Sequence, residues 1–148
     1  MAQSLWELDE TRLVDHASGW HDQGGGDFKS RHVYYRPVKM RHDKSRVLAL
    51  TEFGGYSYAV SEHMSSEKEF GYRICRTQEA FMDLWCKLYE NEVIPCMRKE
   101  KLSAAVYTQL SDVEDEINGL LTYDRRVCKV DVERMREINK TLKKFVEK

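Results

Sequence analysis

The sequence predicts an α/β fold with parallel strands joined by helices, and three observations support this prediction. Residues 46–56, RVLALTEFGGY, form a near-continuous apolar run, which is typical of a strand covered by helices on both faces. Residues 77–89 then place apolar side chains at helical spacing, and a second strand pattern, LSAAVYTQL, follows at 102–110. This order of strand, helix and strand favours parallel strands joined by a crossover.

Composition predicts one domain over residues 1–148 and excludes several classes of protein. The 24 Lys and Arg residues nearly cancel the 25 Asp and Glu residues, so the chain lacks the basic field that nucleic-acid binding requires. The four cysteines show neither CxxC spacing nor a nearby pair of histidines, which favours reduced thiols over a disulfide framework or a metal site. Without an apolar run of about 20 residues or a leader peptide, we expect a soluble cytoplasmic chain with no membrane partner.

The first half of the chain predicts a helix end and two strands. Residues 4–12, SLWELDETR, have the pattern of the last turns of a helix, and residues 12–20, RLVDHASGW, are predicted to be extended. A glycine-rich turn at 23–27 precedes residues 28–37, FKSRHVYYRP, in which strand-forming residues cluster before Pro37. We predict strands in both of these segments.

The second half predicts one loop, one capped helix, a strand and a final helix. Thr77 can cap a helix whose apolar face includes Phe81, Trp85 and Leu88, and the segment 56–77 before it is predicted to be a loop. Residues 112–127 are predicted to form the loop that leaves the strand at 102–110. The last helix carries one apolar face, formed by Val132, Met135, Ile138, Leu142 and Phe145.

Glu52 is the first candidate for chemistry, because it follows the buried run VLAL. In α/β barrels, polar residues at the carboxyl ends of the strands build the active site. Gly54 and Gly55 allow a sharp turn and leave space in front of the carboxylate for a bulky ligand such as a sugar ring. The alternative is a structural role, in which Glu52 caps a helix or pairs with Arg31 or Arg36.

Several blocks of the sequence together resemble glycoside hydrolase family 2, which includes β-galactosidases and β-glucuronidases. They are DHASGWHDQGGGD at 15–27, SRHVYYRP at 30–37, VLALTEFGGYSY at 47–58 and AVYTQLSDVEDEINGLLTYDR at 105–125. The resemblance extends from about Leu5 to the final helix. It implies the C-terminal half of a (β/α)8 TIM barrel, with residues 12–20, 28–37, 46–56 and 102–110 as strands five to eight.

The resemblance implies a retaining double displacement with Glu52 as the catalytic nucleophile. It also implies that Tyr34 hydrogen-bonds this carboxylate and stabilises its charge, although Tyr34 could be a packing residue. The family's acid/base is a Glu preceded by Asn on an earlier strand, which this chain is expected to lack. The pair Asn91-Glu92 follows the predicted helix and is therefore on the wrong element.

Four further residues are candidates for substrate binding. His32 is predicted to face the same side as Tyr34, and Trp20 could stack on a sugar ring. Tyr107 and Gln109 alternate on the strand at 102–110, where many members of the family carry tryptophan, so the preferred sugar stays open. Each of these four residues has an alternative structural role in packing or hydrogen bonding.

The sequence thus predicts an O-glycosyl hydrolase fragment that acts on β-glycosides and uses no cofactor or metal. Because it carries the nucleophile without its acid, the isolated chain is expected to have negligible turnover. Its expected protein partner is either a second copy of itself or the missing N-terminal half of the enzyme. The alternative function is a non-catalytic carbohydrate-binding or self-associating module. A nucleotide-binding fold is disfavoured because QGGGD matches no phosphate loop.

Overall fold

The structure, a computed structural model, describes residues 2–16 and 19–145. Its helices and strands follow one another as α1 (Ala2–Leu8), β1 (Phe28–Val33), β2 (Val47–Gly54), β3 (Tyr56–Tyr58), β4 (Arg73–Cys75), α2 (Gln78–Leu88), a π-helical turn (Tyr89–Val93), α3 (Ile94–Glu100), β5 (Ala104–Thr108) and α4 (Val132–Lys143). The four cysteines carry free thiols, of which Cys128 alone is exposed. Among the helices of these described residues, none combines the length and the apolar character that crossing a bilayer requires.

β2 lies at the centre of a three-stranded parallel sheet with the order β1-β2-β5. Its apolar residues Leu48, Leu50 and Phe53 are buried, as the near-continuous apolar run predicts. The connection from β2 to β5 contains α2 and α3, so the predicted crossover between parallel strands is confirmed. Because the strands are parallel, the carboxyl ends of β1, β2 and β5 meet at one edge of the sheet.

The predicted half barrel with strands five to eight is wrong. The structure has an open sheet of three strands and a separate sheet of two, instead of one sheet of four. The described part of residues 12–20 forms no strand, because Val14 is engaged by a loop residue. The Val14 N–H donates to Asp27 Oδ2 at 2.7 Å and the Val14 carbonyl accepts from the Asp27 N–H at 2.8 Å. Ala17 and Ser18 lie outside the described residues.

The two-stranded sheet of β3 and β4 occupies the segment that the sequence predicts to be a loop. The strands run parallel, with Tyr56 opposite Arg73 and Tyr58 opposite Cys75. Ser57 is fully buried between them, and a Cβ at Gly71 would lie 1.3 Å from the Ser57 Oγ atom. Only glycine therefore fits at position 71, and this close approach holds the start of β4 against β3.

α2 forms as predicted and packs against the small sheet of β3 and β4. The Thr77 Oγ atom accepts a hydrogen bond from the Ala80 N–H at 3.1 Å, which satisfies one of the free amides of the first turn. Phe81, Trp85 and Leu88 are buried on its inner face. The π-helical turn then continues directly into α3.

α4 begins at the cap formed by Asp131, whose carboxylate accepts from the N–H groups of Glu133 and Arg134. The prediction of a helix is confirmed, but its apolar face is only partly covered. Ile138 is buried, whereas Val132 remains 44% exposed.

The long loop after β5 is held by a buried ion pair between Lys129 and Asp112. Lys129 Nζ lies 2.7 Å from Asp112 Oδ1 and donates to the carbonyls of Tyr58 and Ile117 at 3.0 and 2.9 Å. The Asp112 carboxylate also accepts the N–H of Gly119 at 2.8 Å. These contacts fix an otherwise irregular segment against β3.

The glycine-rich turn is tied to β2 by Arg46, which predicts a pH dependence of stability. Arg46 Nη1 and Nη2 lie 2.7 Å from the two carboxylate oxygens of Asp22, and this interaction is the main cause that lowers the pKa of Asp22 below 3.8. Because the folded pKa lies below the unfolded value, the contribution is present above pH 3.8 and is lost as the pH falls through the folded pKa.

We therefore expect Asp22→Asn to lower the Tm at neutral pH, and the difference from wild type to shrink as the pH falls towards about 2. Thermal unfolding followed by circular dichroism measures the Tm of the variant and of the wild type at each pH. Glu67→Gln, an exposed carboxylate that makes no ion pair in the part of the chain that the structure describes, is the control. A difference that stays constant with pH would contradict the prediction.

Candidate active site

Glu52 lies on β2, two residues before the strand ends at Gly54. His32 of β1 is its neighbour in the register, and Thr108 ends β5 opposite Gly54. The Glu52 side chain is 45% exposed, so its carboxylate is accessible at the edge of the sheet where the parallel strands end. This placement agrees with the position that the sequence predicts for Glu52.

Tyr34 contacts Glu52 directly. Its hydroxyl lies 2.8 Å from Glu52 Oε2 and 3.0 Å from the Thr108 hydroxyl. A phenol has one proton and a carboxylate only accepts, so Tyr34 donates to Glu52 and accepts from Thr108. Burial raises the pKa of Tyr34 well above 10.0, and the bond to Glu52 raises it further against the opposing effect of Thr108. The phenol therefore keeps its proton at neutral pH.

His32 is buried and lies close to the same carboxylate oxygen, Glu52 Oε2. Its side chain is 7% exposed, and its Nδ1 atom lies 3.1 Å from Glu52 Oε2 without the alignment of a hydrogen bond. Gly19 packs on the imidazole, since a Cβ at Gly19 would lie 2.3 Å from the ring. The His32 N–H also donates to the Gly19 carbonyl at 3.0 Å. These contacts hold the imidazole beside Glu52.

Trp20 forms an exposed wall of the same site. Its ring meets His32 edge-on with centroids 5.5 Å apart and lies 6.0 Å from the Tyr34 ring. Half of the tryptophan, 50%, is exposed. The structure thus brings Trp20, His32, Tyr34 and Glu52 together, and their roles in substrate binding and catalysis stay predictions.

Tyr107 and Gln109 lie elsewhere. The Tyr107 ring packs edge-on against Phe53 and under Gly54, and burial raises its pKa well above 10.0. Gln109 Nε2 donates to Asn118 Oδ1 at 2.7 Å and to Glu116 Oε2 at 3.2 Å. Neither side chain makes a hydrogen bond to Glu52, and their predicted contacts with substrate stay predictions.

Sequence reasoning missed two residues of this site. Tyr72 stacks on Tyr34 with ring centroids 3.9 Å apart and an angle of 9°, and Thr108 supplies the second hydrogen bond of Tyr34. Gly55 makes room for the stacked pair, because a Cβ there would lie 2.4 Å from Tyr72. Thr108 could have been found from the strand ends, because it ends β5 and lies between the candidates Tyr107 and Gln109. Tyr72 carries no signal in the sequence.

Glu52 Oε2 has two close polar neighbours, the Tyr34 hydroxyl at 2.8 Å and His32 Nδ1 at 3.1 Å. Among residues 2–16 and 19–145, no group of three or more His, Cys, Asp and Glu side chains is arranged to hold a metal ion. The described residues offer an exposed carboxylate that accepts a hydrogen bond from a phenol and lies beside an imidazole. The sequence matches none of the protein-family models and none of the curated proteins with which it was compared.

Proposed function

We propose that Glu52 is the nucleophile of a retaining O-glycosyl hydrolase that acts on β-glycosides. One observation supports this most strongly. Tyr34 and His32 both contact Oε2 of Glu52, while Oε1 has no hydrogen-bond partner within the described part of the chain. One oxygen is thus positioned by the protein and the other is left to react. The resemblance of VLALTEFGGYSY to family 2 glycosidases gives the substrate class.

In the proposed reaction, Oε1 of Glu52 attacks the anomeric carbon of the sugar. A carbon–oxygen ester bond forms as the glycosidic bond breaks, and the electron pair goes to the leaving oxygen. Tyr34 keeps its proton and holds Oε2 by its hydrogen bond, which orients the carboxylate for attack. Trp20, 50% exposed, offers an apolar face to the sugar ring.

The leaving oxygen needs a proton, and we propose that a carboxylic acid of another polypeptide chain supplies it. Retention requires the two carboxyl groups to lie about 5 to 5.5 Å apart. The open edge at β5 offers a place for another segment, because Ala105 and Val106 are exposed there and an edge strand has unpaired backbone groups. A second copy or an N-terminal half would serve. Alone, the chain is expected to turn over ordinary glycosides negligibly.

A substrate whose leaving group needs no acid tests the nucleophile in the chain alone. We would incubate it with 2-deoxy-2-fluoro-β-galactosyl fluoride and the glucosyl equivalent. Fluoride departs without protonation, and the fluorine at C2 slows hydrolysis of the ester. We expect one adduct per chain by intact mass, located at Glu52 after proteolysis. No adduct, or an adduct on another carboxylate such as Glu116, would disprove the proposal.

Tyr34→Phe is expected to slow formation of this adduct by about 10²-fold, because one preorganised donor to the reacting carboxylate is lost. The measurement is the rate constant of labelling by intact mass. Thr108→Val is the matched control, since it removes the other hydrogen bond of the phenol and leaves the bond to Glu52 in place. Equal rates for Tyr34→Phe and wild type would assign Tyr34 a packing role.

A second candidate function, carbohydrate binding without catalysis, is favoured by the exposure of Trp20. Its ring, 50% exposed beside Tyr34, is a surface on which a sugar can stack. A titration with β-galactosides and β-glucosides separates the two functions. Binding that survives Glu52→Ala and fails on Trp20→Ala, together with no adduct at Glu52, would favour a binding module.

A further inference from the structure

A cavity of about 280 Å³ lies beside the candidate active site. Tyr34 and Tyr72 belong to its wall, whereas Glu52 does not. The rest of the wall comes from the segment after β1, from the small sheet of β3 and β4, and from the end of α2. The stacked rings of Tyr34 and Tyr72 therefore lie between Glu52 and this cavity.

Two arginines line this cavity and lack carboxylate partners. Arg36 follows β1 and Arg73 begins β4, and both are exposed. Within the described residues, neither guanidinium has a carboxylate oxygen within 4 Å, in contrast to Arg46, Arg76 and Arg134. A guanidinium offers a planar fork of donors that matches the geometry of a carboxylate. These two forks are thus available to a ligand.

Glu92 is the one carboxylate in the wall, and it is already engaged. Its Oε2 atom accepts the N–H of Val38 at 2.6 Å and so fixes the segment after β1. Two arginines and one glutamate leave a formal charge of +1 on the lining, from +2 and −1. One negative charge on a ligand would neutralise it, whereas a phosphate dianion would leave an excess negative charge.

The remainder of the wall combines buried apolar side chains with tyrosine rings. Val33 and Leu88 are buried at the cavity, and the rings of Tyr35, Tyr56 and Tyr72 surround it. Burial is the main cause that raises the pKa of Tyr56 above 10.0, so its hydroxyl stays a donor at neutral pH. Aromatic rings with a polar edge accept both the apolar body and the polar group of a ligand.

We propose that this cavity binds a small monoanionic carboxylate with a flat, apolar body, whose carboxylate is held by Arg36 and Arg73. The site is separate from the nucleophile, and the proposal does not depend on glycosidase activity. The tyrosine rings contact the body of the ligand and the guanidinium forks contact its two oxygens. The ligand class follows from the net charge of +1 on the lining, from the two guanidinium groups without carboxylate partners, and from the buried side chains of Val33 and Leu88.

Benzoate is the probe, and its neutral isostere benzamide is the matched ligand. We would titrate both into the full chain by NMR and calorimetry. We expect saturable binding of benzoate with shifts of tyrosine resonances, and binding of benzamide weaker by about tenfold or more, because charge-assisted hydrogen bonds are lost. No saturable binding, or equal binding of the two ligands, would overturn the proposal. Tighter binding of phenyl phosphate than of benzoate would overturn the carboxylate assignment.

Substitution of the arginines locates the site. Arg36→Gln/Arg73→Gln is expected to weaken benzoate binding by about tenfold or more, whereas Arg36→Lys/Arg73→Lys should keep the charge and lose part of the affinity. Because both side chains are exposed, the variants should unfold at the wild-type temperature, which circular dichroism verifies.

The control for the arginine variants is Arg76→Gln, which removes an exposed arginine that pairs with Glu69 at 3.0 Å. Unchanged benzoate binding in the glutamine double variant would place the ligand elsewhere and overturn the proposal. Benzoate should bind Glu52→Gln as it binds the wild type. Failure of this proposal is therefore distinguishable from failure of the glycosidase proposal.

Discussion

Lys129→Met is expected to destabilise the fold by about 3–5 kcal/mol, because it leaves a buried charge without its partner. Lys129 is fully buried, and its ammonium group donates hydrogen bonds to the Asp112 carboxylate and to two backbone carbonyl groups. Burial is the main cause that lowers the pKa of Lys129 and raises that of Asp112. Each charge thus depends on the other, and the loss would be a large part of the 5–15 kcal/mol that stabilises most domains.

Urea unfolding of two further variants isolates the unpaired charge. Lys129→Met/Asp112→Asn removes both charges and keeps an acceptor for the Gly119 N–H, so we expect it to be more stable than Lys129→Met alone. Lys140→Met, which removes an exposed lysine paired with Glu137, should cost less than about 0.5 kcal/mol. If the single and double variants were equally unstable, packing of the lysine side chain would account for the loss.

Glu52→Gln is expected to reduce the rate of labelling by the glycosyl fluorides by about 10⁴-fold or more, as loss of a catalytic nucleophile does in other enzymes. The amide has the shape of the carboxylate and can still accept the hydrogen bond from Tyr34, but it is a poor nucleophile. The labelling rate measured by intact mass, with the Tm as a check on folding, gives the result.

Two controls separate attack by Glu52 from a structural role. Glu116→Gln changes a carboxylate that is bound to Gln109, and it should label as the wild type does. Glu52→Ala opens space for azide, which should attack the anomeric carbon from the same face and give the α-glycosyl azide as fluoride leaves. Labelling of Glu52→Gln at the wild-type rate would assign the nucleophile to another residue.

Periodicity predicted the central elements of the fold because their burial is regular. β2 is buried on both faces, with Leu48 and Leu50 on one and Ala49 on the other, and α2 has a capping threonine before a clear apolar face. A strand was predicted at 12–20 because Leu13 and Val14 have strand-forming side chains. It does not form, because the backbone N–H and carbonyl groups of Val14 make their hydrogen bonds with Asp27. A carboxylate 13 residues away along the chain does not appear in any local pattern.

The candidate site was predictable where it lies at strand ends. Glu52 lies on β2 and Tyr34 directly follows the neighbouring strand β1, and their hydrogen bond is present at 2.8 Å. Tyr72 was not predictable, because it precedes a strand of three residues that is too short to show alternation. Its stacking on Tyr34 depends on the packing of the two sheets against each other, and the sequence of neither segment indicates that packing.

The half-exposed indole of Trp20 gives this molecule an optical sensor at the candidate site. The other two tryptophans differ from it: Trp85 is 2% exposed in the core, and Trp6 donates to Asp27 at 3.1 Å. An aqueous quencher should therefore reach Trp20 before Trp85. The emission that the quencher removes first then includes that of Trp20, where any sugar that stacks on the indole would shield it from collision with the quencher.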